Sequence, residues 1–148
     1  MRRFIFSVVI LMLLIGCAGV QRLNTPSGKP EVTLRGAEKK EVIDIFTNAF
    51  ANKGFNPIDI TEYKAVYGKR MEDNVAASVL MGSRYDSVPE YRITCTFVNL
   101  PSGDLRIITD LAIITNPGSA FERRTDMNRS KDSHAMQKEL ETLKSRYE

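Results

Sequence analysis

The sequence predicts an α+β protein: a two-layer sandwich in which an antiparallel sheet of about four strands carries two main helices on one face. Three observations point there. Apolar residues recur at helical spacing in two separate stretches, Ala37 to Lys53 and Ser130 to about Tyr147. Residues 90–99 and 105–115 flank Leu100-Pro101-Ser102-Gly103-Asp104, turn chemistry suited to a hairpin. The strand candidates are half apolar, as antiparallel strands with one wet face should be.

In chain order, Glu31-Val32-Thr33-Leu34 is a short strand. The first helix puts Val42, Ile43, Ile45, Phe46, Ala49 and Phe50 on one stripe and leaves Lys39, Lys40, Glu41, Asp44 and Asn48 to water. Gly54 ends it, because glycine accepts the left-handed backbone of a helix C-terminus. Ile58 to Arg70 alternates around Tyr63, Ala65 and Tyr67 and reads as one strand. Met71 to Gly82 changes period: Met71, Val75, Val79 and Leu80 suit a short helix capped by Asp73 or Asn74. The hairpin strands follow, Glu90 to Asn99 and Leu105 to Thr115, and Asn116-Pro117-Gly118-Ser119 stops the second. In the first of them Tyr91, Ile93, Cys95 and Phe97 share the inward face, so Cys95 reads as a small buried hydrophobe. Arg92, Thr94, Thr96, Arg106 and Asp110 fall on the other face, to be solvated or to meet a partner. The last helix carries a narrow stripe of Met136, Leu140, Leu143 and Tyr147.

Residues ahead of this domain obey different rules. Met1-Arg2-Arg3 precedes an apolar run, Phe4 to Ile15, broken only by Ser7. Charge, short apolar run and small residues describe a secretory signal; the run is shorter than the ~20 residues needed to cross a bilayer. The run closes on Leu14-Ile15-Gly16-Cys17, which resembles the lipobox of bacterial lipoproteins. The alternatives are an ordinary secretory signal with an incidental Cys17, an uncleaved anchor, and a core helix. The resemblance implies cleavage between Gly16 and Cys17, with a diacylglycerol on the Cys17 sulfur and an N-acyl chain (palmitate-type lipid) on its new amine. A thiolate is the nucleophile that such thioether chemistry needs. One acyl chain binds a membrane only marginally, whereas two or three make attachment effectively permanent. Ala18, where an Asp would favour inner-membrane retention in that family, implies the outer membrane, facing the periplasm, if the source is Gram-negative.

The expected organisation is therefore a removed signal peptide at 1–16, a flexible tether at 17–30 beginning at lipidated Cys17, and one α+β domain at 31–148. A dozen flexible residues span roughly 20 Å. Without Arg2 and Arg3 the 21 Lys and Arg fall to 19 against 18 Asp and Glu, a formal +1. That balance gives no support to a nucleic-acid partner.

Catalytic motifs are missing from the sequence: it has no glycine-rich phosphate loop, no Cys-x-x-Cys and no His-Glu-x-x-His. The single histidine, His134 in Asp132-Ser133-His134, reads as an exposed first-turn residue, since adjacent helical side chains diverge and cannot form a triad. Two polar stretches are candidate partner contacts: Arg84, Tyr85 and Asp86, and then Arg123 and Arg124. Tyr and Arg are favoured interface anchors, and paired arginines suit anionic surfaces; the alternative for each is a solvated, salt-bridged loop. Asp126-Met127-Asn128-Arg129-Ser130 also fits a bacterial N-glycosylation pattern. No cofactor and no metal ligand set is expected. The expectation is a lipid-anchored cell-envelope protein that acts without catalysis, as a binding, adaptor or assembly module for an envelope protein. The alternative is a periplasm-facing pocket protein that binds or processes a small molecule or cell-wall fragment.

Overall fold

The computed structural model describes residues 22–71 and 88–148, so all but the first residue of the short helix expected at Met71 to Gly82 falls outside it. Chain order among the described residues is β1 (Glu31–Leu34), α1 (Lys39–Asn52), β2 (Asn56–Ile60), β3 (Lys64–Arg70), β4 (Glu90–Asn99), β5 (Leu105–Thr115), β6 (Arg123–Asp126) and α2 (Lys131–Lys144). The fold is mixed α+β around one antiparallel sheet. That sheet has six strands rather than the expected four or so, in the order β1-β5-β4-β3-β2 with β6 also on β5.

Two local features account for the difference. The stretch read as one strand, Ile58 to Arg70, is a hairpin: the Thr61 amide donates to the Lys64 carbonyl at 2.7 Å, and the Lys64 amide donates back to Thr61 Oγ1 at 3.1 Å. Its first arm, β2, is an exposed edge whose register shifts between Pro57 and Asp59. Proline and a bulge are common ways to keep a free edge from pairing with another chain. The second feature is β6, a four-residue strand where a solvated loop was the alternative reading.

β5 is the spine. One flank pairs with β4 over ten residues, Glu90↔Ile114 to Asn99↔Leu105. The other flank is shared: β1 pairs with residues 105–108 and β6 with residues 112–115. Between them, the Thr109 amide donates to the Pro30 carbonyl and the Leu111 amide to Asn128 Oδ1. The edge is thus satisfied by two separate chain segments that meet beside Asp110.

One apolar cluster joins Val42, Phe46 and Phe50 of α1 and Leu140 and Leu143 of α2 to Val32, Leu34, Ala65, Tyr67, Ile93, Cys95, Phe97, Leu105 and Ile107 of the strands. Phe46 meets Phe97 edge-on at 6.2 Å, and Phe50 lies 4.8 Å from the Tyr67 ring. Burying each such ring contributes about 1.5–3 kcal/mol. The Tyr67 hydroxyl stays satisfied inside: Thr47 Oγ1 spends its proton on the Ile43 carbonyl, so Tyr67 donates to Thr47 at 3.0 Å. Cys95 is fully buried, and burial pushes its thiol far above the ordinary range.

Each helix ends as its sequence dictates. At the close of α1, Gly54 takes φ +81°, its amide reaches the Ala51 carbonyl, and the Phe55 amide reaches the Phe50 carbonyl. Ser130 caps α2 by accepting the Ser133 amide at 3.3 Å.

The segment 22–30, expected as part of the tether, carries turns and is tied to the sheet. Thr25 Oγ1 donates to the Lys29 carbonyl at 2.6 Å, the Ser27 amide donates to Glu31 Oε2 at 3.0 Å, and Lys29 lies 3.1 Å from Asp110. Pro30 is buried.

Candidate binding cleft

The turn that ends α1 also builds one wall of a cleft. Phe55 follows Gly54 directly, so its ring folds back within 5.9 Å of Phe50. It then meets Tyr91, at the start of β4, edge-on at 6.0 Å. Lys69 of β3 closes the corner: its Nζ donates to the Lys53 carbonyl at 2.9 Å and sits 5.9 Å from the centre of the Phe55 ring. A cation there complements the negative end of the α1 dipole.

On the other side, α2 contributes Asp132, Ala135, Met136 and Glu139. Two contacts hold α2 there: Tyr91 donates to Asp132 at 3.3 Å, and Lys53 pairs with Glu139 at 3.3 Å. Ile93, Leu111, Arg70 and Met71 complete the lining of a cleft of about 550 Å³. Its lining is apolar and aromatic, with both signs of charge around it. Burial, and secondarily the Asp132 carboxylate, holds the Tyr91 phenol far above its ordinary range, so Tyr91 remains a donor rather than a base.

The opposite face of the sheet is held by charge. Arg92 bonds Glu90 at 2.8 Å and Glu122 at 3.2 Å, and Arg106 bonds Glu31 at 2.7 Å. Asp110 receives Lys29, Arg124 and Asn128 Nδ2. Arg92, Arg106 and Asp110, expected to be solvated or to meet a partner, are thus engaged with one another's neighbours.

Of the candidate contact residues, Arg84, Tyr85 and Asp86 lie outside the described residues, as do Gly16 and Cys17. Arg123 and Arg124 sit side by side in β6 and point to opposite faces of the strand. Arg124 is committed to Asp110 at 2.7 Å, while Arg123 has no ion pair among the described residues. The structure therefore does not bring the pair together as one basic patch. Asn128 cannot serve as a glycan acceptor in this fold. It is 5% exposed, and its side-chain amide donates to Asp110 at 2.6 Å and Asp126 at 3.0 Å. His134, expected to be exposed, is half-buried on the first turn of α2.

Reading for motifs missed the cleft because its residues are ordinary core types drawn from five elements and a turn. One signal was available: the stripe of the last helix is narrow, and Met136 lies at its N-terminal end. Among the described residues, no cluster of three or more His, Cys, Asp or Glu could hold a metal ion, and no helix is long and apolar enough to cross a membrane. No family model, curated protein or solved structure matches the chain.

Proposed function

We propose that the chain is a lipid-anchored envelope protein that works by binding, and that the cleft beside α2 receives an apolar or aromatic side chain of a partner envelope protein. The cleft itself is the observation that supports this. Phe50, Phe55, Ile93, Leu111 and Met136 give it an apolar lining, and Lys53, Lys69, Asp132 and Glu139 surround it with charges of both signs. Such a surface can bury an anchor residue and fix its orientation by polar contacts around it. In this reading both helices form one layer over one face of the sheet, which their shared apolar cluster supports. Cys17 carries the lipid. Any leash from Cys17 is shorter than the expected 17–30, since turns begin at Thr25.

A photoreactive residue placed at Ala135 tests the reading in cells. It should trap one discrete protein, and Met136→Glu, which sets a charge in the cleft, should abolish the adduct while leaving the melting transition in place. Absence of a discrete adduct from both Ala135 and Glu139 would refute the partner reading. A second reading, a small-molecule pocket, is favoured by the volume, which falls within the ~300–1,000 Å³ of known ligand sites. Native mass spectrometry of the purified protein would then show a bound small molecule that Met136→Glu releases.

A further inference from the structure

Where β6 ends and β1 begins, both chains leave the edge of β5 beside Asp110. The notch between them has a volume of about 400 Å³ and is lined by Arg22, Ser27, Gly28, Lys29, Asp126, Asn128 and Arg129. Three cations face one carboxylate there. Asp126 is already occupied: the Asn128 amide donates to one oxygen at 2.7 Å and Asn128 Nδ2 to the other at 3.0 Å. Asp110, behind the notch, is taken up by Lys29, Arg124 and Asn128. Arg22 and Arg129 carry no ion pair among the described residues.

Arg22 reaches back over the turn at residues 25–28. Its guanidinium lies directly over Gly28, where an added Cβ would collide with it, and its NH2 donates to the Ser27 carbonyl at 3.3 Å. Gly28 also has φ +68°, a backbone few other residues adopt at low cost. A glycine therefore makes room for an arginine head at the wall of the notch.

Chain length then decides what can reach it. Arg22 lies five residues after Cys17, and an extended chain spans at most about 3.6 Å per residue. The wall of the notch thus stays within about 18 Å of the lipid attachment point. We infer that the notch is a seat for anionic phospholipid headgroups, which fixes the domain against the membrane that holds its anchor. The inference rests on the lipid-anchor reading of Cys17. A headgroup phosphate would meet Arg22 and Arg129, with Lys29 beside them on Asp110. By the usual contribution of a basic residue near an anionic surface, losing two of these cations should shift the ratio of seated to unseated molecules by roughly 30-fold.

The test uses the mature lipid-modified protein, reconstituted into vesicles of phosphatidylcholine alone or with phosphatidylglycerol. A fluorophore is attached at Asn24→Cys, beside the notch, or at Ser102→Cys, in the β4–β5 turn; Cys95 is buried and Cys17 acylated. A headgroup spin label reports proximity by quenching. The seat predicts strong quenching at position 24 in phosphatidylglycerol vesicles, weaker quenching at 102, and loss of the difference at high salt and in Arg22→Gln/Arg129→Gln. Quenching at 24 that is equal in both vesicle types, or unchanged in the double variant, overturns the seat while leaving the anchor standing. Protein that fails to float with either vesicle overturns the anchor, and the seat with it.

Discussion

The two faces of the sheet are held by different forces. On one, Phe97, Ile107 and Tyr67 are buried in an apolar cluster shared with both helices. On the other, Glu31–Arg106, Arg92–Glu122 and Asp110 with its three donors form a network of partly exposed charges. Apolar burial gives a large contribution that is insensitive to pH and salt. Charge pairing contributes less, and only while the carboxylates stay ionised. The comparison teaches that stability should reside on the apolar face, while sensitivity to conditions resides on the charged one.

Breaking the apolar face should have the largest effect. Phe97→Ala removes a buried ring packed edge-on against Phe46 and should cost about 3–5 kcal/mol, read from urea denaturation. A smaller loss would mean that the strands can collapse into the space.

Glu31→Gln comes next, at about 1–3 kcal/mol near neutral pH, because it weakens bonds from Arg106 and Ser27 at a side chain only 7% exposed. Burial alone would raise this carboxyl, but hydrogen bonds from Ser27 and Arg106 outweigh it and hold it below the ordinary 4.5. A depressed carboxyl stabilises the fold above its unfolded pKa and loses that contribution as pH falls through the folded value. Wild-type stability should therefore decline below about pH 4.5, and the Gln variant should show a shallower decline. Parallel acid limbs for the two proteins would remove Glu31 from the network's role.

The smallest effect is expected at Lys64, whose 2.9 Å pair with Asp59 is nearly half exposed on both sides. Lys64→Ala should change the unfolding free energy by no more than about 0.5 kcal/mol. A larger loss would show that this pair holds the bulged edge strand in register.

The same division explains what was legible in the sequence. Apolar periodicity located both helices and the boundaries of β4 and β5, because burial imposes a repeat of two or of 3.6 residues. It also placed Cys95 inside. Charge networks impose no repeat, so the Glu31–Arg106 and Asp110 contacts, made across distant segments, left no mark. β2 was merged with β3 because the turn at Thr61-Glu62-Tyr63 lacks glycine and proline and relies on the Thr61 side chain instead. β6 was missed because Arg123-Arg124-Thr125-Asp126 is wholly polar; its strand form comes from the open flank of β5. The cleft stayed hidden for a related reason. Phe50 and Met136 were read as core residues, and both also line the cleft.

The divided flank of β5 also sets an order of assembly. β4 and β5 are joined by a five-residue turn and can pair at small cost in chain entropy. β1 must wait for a partner that arrives much later in the chain, since Glu31 and Arg106 are 75 residues apart. A chain that emerges N-terminus first would bring β1 out long before its place exists. In that interval Val32 and Leu34 would stay exposed, and the first strand among the described residues would be among the last to find its place.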